Sequence, residues 1–335
     1  MILKHLGVRG YKSLKNATVD FTPITVLVGD SDCGKTNLFS VFTLLQAESY
    51  RQVPKSARLT FDTSLFYGDE KETPALSVKA SGDSGQSGLV ASLEADGKIH
   101  RRFQTVGTFF PHGRLAWRVY RFTEASLMRT STGKAHYSTE LFTDGSNLPA
   151  VLLRLKTEYP DNYARIGRLM KLFAPEWASF DFEVEQTMVR LLWVDQAGRR
   201  RDSTWVSDGT MRFLATATLF SLPESMVPRV LMIDDYDVGI SRKGVMLLTE
   251  ALRSVAIQHQ VVVSVQTSDG LDEFDPEEVV WCEKTDDGSR FVRPKLEKLQ
   301  TWFTDGVTLS ELRAKNVLAD CCRDSKRSDL YRQTD

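Results

Sequence analysis

Gly29-Asp30-Ser31-Asp32-Cys33-Gly34-Lys35-Thr36 is the stretch that decides the fold of this 335-residue chain. It satisfies the pattern G-x-x-x-x-G-K-[ST]. Just before it, Ile24-Thr25-Val26-Leu27-Val28 is short, nearly all apolar and rich in β-branched residues, as a strand covered on both faces reads. Just after it, Leu38, Phe39, Val41, Phe42, Leu44 and Leu45 leave little polar surface between Lys35 and Gln46, which predicts a buried helix. Strand, glycine loop and helix in this order make a phosphate cradle. Gly29 and Gly34 let the backbone wrap closely round phosphate, and the loop N–H groups (Asp30 to Asn37) and helix N-terminus supply partial positive charge. Lys35 would then reach the β- and γ-phosphates and the Thr36 hydroxyl would ligate Mg²⁺.

A phosphate loop needs a carboxylate for Mg²⁺ at the end of a neighbouring apolar strand. Val230-Leu231-Met232-Ile233-Asp234-Asp235 offers it, with Asp234 as the metal candidate and Asp235 where a general base or water-positioning residue would stand. The competing reading of Asp234 is a simple cap on the next helix.

Between these motifs the chain changes character. Residues 47 to 145 carry turn signals that predict a β-rich lobe, and Asn147-Leu148-Pro149 starts a helix whose apolar face is Leu148, Val151, Leu152 and Leu155. A second helix is expected from about Asp161. Leu191 to Val194 and Ser203 to Val206 read as two arms of a hairpin with a basic tip at Arg199, Arg200 and Arg201. Helix, strand, helix, strand then follow over 210–222, 230–233, 243–259 and 261–265. The order predicts an α/β protein with a mixed, mainly parallel core sheet. Residues 1–46 and 207–300 would form the core lobe and 47–206 a β-rich and helical insert. Residues 301–335 would form a C-terminal extension, its last fifteen residues reading as a mobile tail.

Composition sets limits on partners. With 43 basic and 44 acidic residues the net charge is -1, so no global basic field draws nucleic acid, and any DNA contact needs a local patch such as Arg199–Arg201 or Arg101-Arg102. Charged hairpin tips are ordinarily just solvated, which is the plainer reading of those arginines. No apolar run reaches about 18 residues, and the opening MILKHLGVRGYKSL lacks a signal-peptide core, so a cytoplasmic protein without membrane attachment is expected. Cys33, Cys282, Cys321 and Cys322 fit no CxxC metal spacing and are read as reduced thiols.

Several motifs together resemble the RecF/SMC-like ABC-type ATPases, in particular the short AAA family ATPases without a coiled coil found in bacterial anti-phage defence systems. Val8-Arg9-Gly10-Tyr11-Lys12-Ser13-Leu14 resembles their N-terminal strand, and Gly29 to Leu38 their Walker A with its "GK-[ST]-N-L" continuation through Asn37. Val206-Ser207-Asp208-Gly209-Thr210-Met211-Arg212-Phe213-Leu214 is similar to their signature helix. Ile233-Asp234-Asp235-Tyr236-Asp237 is similar to their Walker B, and Val263-Ser264-Val265-Gln266-Thr267 to their switch segment. The resemblance implies a head domain that binds ATP and Mg²⁺ through Lys12, Ser13, Gly29, Asp30, Ser31, Asp32, Cys33, Gly34, Lys35, Thr36, Asn37 and Asp234. It also implies a homodimer or higher oligomer, closed head to tail, in which Ser207, Asp208 and Gly209 of one subunit face the nucleotide held by another.

The site departs from the family pattern where water is handled. Asp32 stands where Gly is expected, Asp235 replaces the usual catalytic Glu, and Gln266 replaces the usual switch His. Losing one methylene at Asp235 displaces the reactive oxygen by about an ångström, which costs on the order of a hundredfold in rate. The expectation is retained Mg·ATP binding with slow hydrolysis. No sustained heptads occur in 47–206, which excludes a long-armed SMC protein, and the stretch after Gln266 is too short for a typical nuclease domain. A separate effector, nuclease or toxin, is therefore expected, in a DNA-related or defence complex. Two other functions remain: a degenerate scaffolding or regulatory subunit, and, less favoured by the signature wording, a transporter's nucleotide-binding subunit. The glutamine that senses Mg²⁺ in such heads has three candidates, Gln46, Gln86 and Gln104.

Overall fold

The structure, a computed structural model, describes residues 3–49, 75–82, 85–93, 99–107, 117–132, 139–186 and 188–322. The expected tail beyond 322 lies outside the described residues. The chain opens with β1 (Leu3–Tyr11), β2 (Leu14–Asp20), β3 (Ile24–Gly29) and helix α1 (Lys35–Ser49). Strands β4 (Ala75–Gly82), β5 (Gly85–Leu93) and β6 (Ile99–Gly107) extend an antiparallel sheet in the order β2-β1-β4-β5-β6. After β7 (Trp117–Tyr120) comes a second lobe of β8 (Thr130–Thr132), α2 (Leu148–Glu158), α3 (Pro160–Phe173), β9 (Trp177–Glu185), β10 (Met188–Asp195) and β11 (Arg200–Asp202). The chain then runs through α4 (Asp208–Leu219), β12 (Val230–Ile233), α5 (Arg242–Ala256), β13 (Gln260–Val265) and α6 (Ser268–Leu271). It continues through β14 (Val279–Thr285), β15 (Gly288–Val292), α7 (Leu296–Thr304), α8 (Leu309–Ala314) and α9 (Val317–Cys322).

The core sheet has the order β15-β14-β3-β13-β12-β7. Its inner pairs are parallel and only β15 runs antiparallel, on β14. Every residue of β3, β12 and β13 is buried. Period-two alternation explains how: Val26, Val28, Leu231, Ile233, Val261 and Val263 enter one apolar cluster with α4 and α5, while Leu27, Val230, Met232 and Val262 enter the other with α1. Helices on both faces thus account for the unbroken apolar strands. The C-terminal ends of the parallel strands, where α/β sheets place their ligands, carry Gly29, Asp234 and Gln266.

Two features differ from the sequence reading. The 47–206 stretch supplies the core sheet's edge strand, since β7 pairs with β12 from Trp117 opposite Val230 to Tyr120 opposite Ile233. Its α2, α3 and β9 also share one apolar cluster with α4 and α5. Four residues reading Trp-Arg-Val-Tyr carry no periodicity that separates a core strand from the strands of a neighbouring lobe. The hairpin's second arm is β11, one turn earlier than expected, and Ser203–Trp205 is a 3-10 turn. The Asp202 carboxylate accepts from Thr204 N at 2.8 Å, and this local side-chain bond ends the strand.

Candidate nucleotide site

The β3–α1 loop has the shape that its glycines permit. A Cβ at Gly29 would lie 2.0 Å from the Cys282 carbonyl oxygen on β14, and Gly34 combines φ +107° with a Cβ position 2.2 Å from Ser289 Oγ. Asp32, which stands where Gly is expected, adopts φ +62°, the left-handed region that Asp tolerates better than most residues, and its side chain is exposed. The turn at Lys12-Ser13 braces the loop: Ser13 Oγ accepts from Asn37 Nδ2 at 2.8 Å and from Ser289 Oγ at 2.7 Å, and Lys12 Nζ donates to Ser40 Oγ at 3.3 Å.

Lys35 is buried and folded onto its own loop, donating to Gly29 O at 2.7 Å and Asp30 O at 2.8 Å, with Cys33 Sγ at 3.5 Å. The Cys282 thiol, helped by Lys35, holds the Cys33 thiol down at about 7 against its burial, and burial pushes the Cys282 thiol up. Thr36 Oγ1 donates to Asp234 Oδ2 at 2.9 Å, joining positions 198 residues apart. Ser264 Oγ donates to Asp234 Oδ1 at 2.7 Å and accepts from Asp235 N at 2.8 Å, which fixes the Asp234 carboxylate and the Asp235 backbone. Burial, then the neighbouring Asp235 charge, pushes the Asp234 carboxyl above its ordinary value in spite of these donors.

These residues fit Mg²⁺. The donors are hard oxygens, and two adjacent oxygens of an octahedral shell at about 2.1 Å from the ion stand about 3 Å apart. The Thr36–Asp234 pair already has that spacing.

The two residues expected to handle water are brought together, but they are engaged with each other. Gln266 Nε2 donates to Asp235 Oδ1, and Arg121 takes Asp235 Oδ2 at 3.0 Å. Asp235 sits at φ +58°, like Asp32 and Lys12 a left-handed non-glycine position at the site. Ser31, Asp32, Gly34, Lys35, Thr36, Asn37, Arg121, Asp235 and Gln266 line one cleft of about 380 Å³.

The signature residues do not line that cleft. Ser207 caps α4, its Oγ accepting from Thr210 N at 3.2 Å, and the Asp208 carboxylate holds Arg129 at 2.7 Å. A Cβ at Gly209 would lie 2.2 Å from Gly239 O, so close packing inside one chain already requires glycine there. The basic tip is internally matched: Arg199 pairs with Asp195 at 2.7 Å, Arg200 with Asp181 at 2.9 Å, and Arg201 lies 3.8 Å from Asp195.

Three residues escaped the sequence reading. Arg121 follows the short edge strand β7 and reaches both acids of the Walker B segment. Asp237, fully buried, accepts from Gln266 N at 2.9 Å and Thr267 N at 2.6 Å and so holds the switch segment. Arg313 of α8 donates to Gln266 O at 2.9 Å and lies 4.0 Å from Asp30. Asp237 was legible as a third acid after an apolar strand; Arg121 and Arg313 carried no motif. The side chains of Gln46, Gln86, Gln104, Arg101 and Arg102 lie outside those described.

Solved structures with this arrangement of elements cover nearly the whole chain. An SmcHead bound to the C-winged helix domain of ScpA matches with a TM-score of 0.64 at 14% identity, over 90% of this chain and 100% of that one. The chain has the fold of an SMC-type ABC ATPase head. The SMC head domain from Thermotoga maritima gives a TM-score of 0.51 at 14% identity over 88% of this chain and 100% of that chain. An Smc head with an extended coiled coil bound to the C-terminal domain of ScpA, from Pyrococcus furiosus, gives 0.61 at 12% identity over 90% and 98%. Residues 1–81, which include the β3–α1 loop, match the family described as an AAA ATPase domain. No curated protein sequence matches it. Among the described residues no helix is long and apolar enough to cross a membrane.

Proposed function

We propose that this SMC-like head binds Mg·ATP in the cleft of Lys35, Thr36 and Asp234 and hydrolyses it slowly. Two copies close head to tail around two nucleotides, Ser207 and Gly209 of each facing the nucleotide of the other, and the dimer controls a DNA-related or anti-phage defence complex with a separate effector protein. The observation that carries the reading is the 2.9 Å bond between Thr36 and Asp234, two oxygens from separate motifs already at metal-ligand spacing beside Lys35.

Each residue then has a task. Lys35 exchanges the loop carbonyls for phosphate oxygens, and the α1 N-terminus adds its dipole. Mg²⁺, held by Thr36 and Asp234, would supply charge neutralisation on the terminal phosphates. Asp235 must leave Gln266 and Arg121 before it can orient water, which supports slow turnover. A separate partner protein is supported by the SMC heads that bind ScpA domains.

The test is an ATP titration with turnover and light scattering in parallel. Binding with ATP-dependent dimers and turnover below about one per second agrees with the proposal, since faster turnover falls in the usual enzyme range. Binding without dimers removes the clamp. The alternative, a scaffolding subunit that no longer uses nucleotide, draws on the Asp32 carboxylate in the loop, and the absence of ATP binding would favour it.

A further inference from the structure

Asp234 and Asp235 are adjacent carboxylates, one buried and one nearly so, at the place where a tetraanionic polyphosphate would have to approach. Two like charges this close need a cation beside them. Lys35 does not serve them, because its ammonium is committed to the loop carbonyls of Gly29 and Asp30. Arg313 leans the other way, toward Gln266 O and Asp30. Among the described residues the cation that meets both acids is Arg121, with Nη2 at 3.0 Å from Asp235 Oδ2 and Nε at 3.8 Å from Asp234 Oδ2.

The scaffold aims this arginine while leaving its head group movable. Arg121 N donates to Thr143 O at 2.8 Å, and its neighbour's carbonyl, Tyr120 O, accepts from Asp234 N at 2.9 Å. The backbone is therefore tied directly to the metal-site strand. The side chain is 49% exposed, so the guanidinium can leave without opening the core. Asp234 Oδ2, which it approaches, is the same oxygen that the Thr36 hydroxyl meets.

We propose that Arg121 is a built-in counter-cation that stands in for the divalent metal at the Asp234–Asp235 pair and is displaced when metal arrives. It is a positioning residue for the site, which makes nucleotide entry independent of metal and sets the metal's affinity by competing with it. The metal-competition half rests on the chain's own carboxylates; the nucleotide half rests on the ATP-site reading above.

The two halves are tested separately on the full chain, using Arg121→Gln, which keeps the side-chain length and removes the charge, and Arg121→Lys. Mn²⁺ is titrated into nucleotide-free protein and free ion is followed by electron paramagnetic resonance. Arg121→Gln should bind Mn²⁺ at least about tenfold more tightly than the unaltered chain, Arg121→Lys should stay close to it, and adding Asp234→Asn should abolish the gain, as expected for a competing charge. Equal Mn²⁺ affinity in the unaltered chain and Arg121→Gln overturns the proposal. In the second arm ATP is titrated in EDTA and in Mg²⁺. The ratio of the two dissociation constants should grow at least about tenfold in Arg121→Gln, and an unchanged ratio overturns the nucleotide half. Failure of the unaltered chain to bind ATP in Mg²⁺ sinks the ATP-site reading while the Mn²⁺ arm still decides the role of Arg121. Thermal melts of each variant identify any that does not fold, and Arg121→Met, which also removes the charge at similar length and should show the same tenfold gain, then carries the comparison.

Discussion

The phosphate loop and the signature end of α4 are both built on helix N-termini, yet one is closed and the other open. At the loop, Lys35 is buried and every anchor has a partner: carbonyls for Lys35, Asp234 for Thr36, Ser289 and Asn37 for Ser13. At the signature, Ser207 and Asp208 are exposed and Trp205, two residues earlier, is 76% exposed. The difference teaches that a single chain fully partners the side chains proposed to hold phosphate and metal, while the signature end of α4 faces solvent.

Replacing Lys35 by Ala would break the closed half most severely. Loss of charge-assisted bonds to phosphate should raise the ATP dissociation constant by on the order of a hundredfold or more, measured by calorimetry. Gly29→Ala attacks the same half through packing instead: the added Cβ meets the backbone of β14, and a loss of about 1–3 kcal/mol in denaturant unfolding is expected.

Ser207→Arg tests the open half. It should abolish ATP-dependent dimers in light scattering while leaving the affinity of dilute protein for ATP within about threefold, because no contact of Ser207 reaches the cleft. If affinity falls as far as in Lys35→Ala, the two regions are one site within a chain and the comparison fails.

Asp235→Glu sharpens it more gently. Restoring the reach is worth about 2.7 kcal/mol, from a hundredfold at about 1.36 kcal/mol per decade. Holding Glu at the φ of +58° found at Asp235 costs about 1–2 kcal/mol. The net expectation is turnover raised by roughly tenfold rather than a hundredfold, read in a phosphate-release assay. Smallest of all should be the effect of reversing Arg199 and Arg201: both face Asp195, so the slope of DNA binding against salt should change by less than about one unit. A larger change would make that tip a DNA contact.

The same contrast runs through what was legible. Local pattern sufficed for β3, α1, β12 and β13, because a strand buried on both faces and a glycine loop leave signatures within a dozen residues. Thr36, Lys35 and Asp234 were picked out by the same logic, and the structure joins Thr36 to Asp234. The Ser203–Val206 arm was misread because an Asp202 side-chain bond to the backbone outcompeted strand pairing.

The sequence by itself determined the phosphate loop, its carboxylate partner and the α/β order, since each is written in residues close together along the chain. Only the tertiary structure decided which cation faces the acids, that β7 belongs to the core sheet, and that α8 brings Arg313 to the switch segment. A guanidinium at the end of a long side chain is placed by the strand that carries it and by charges more than a hundred residues away, and no local period records that.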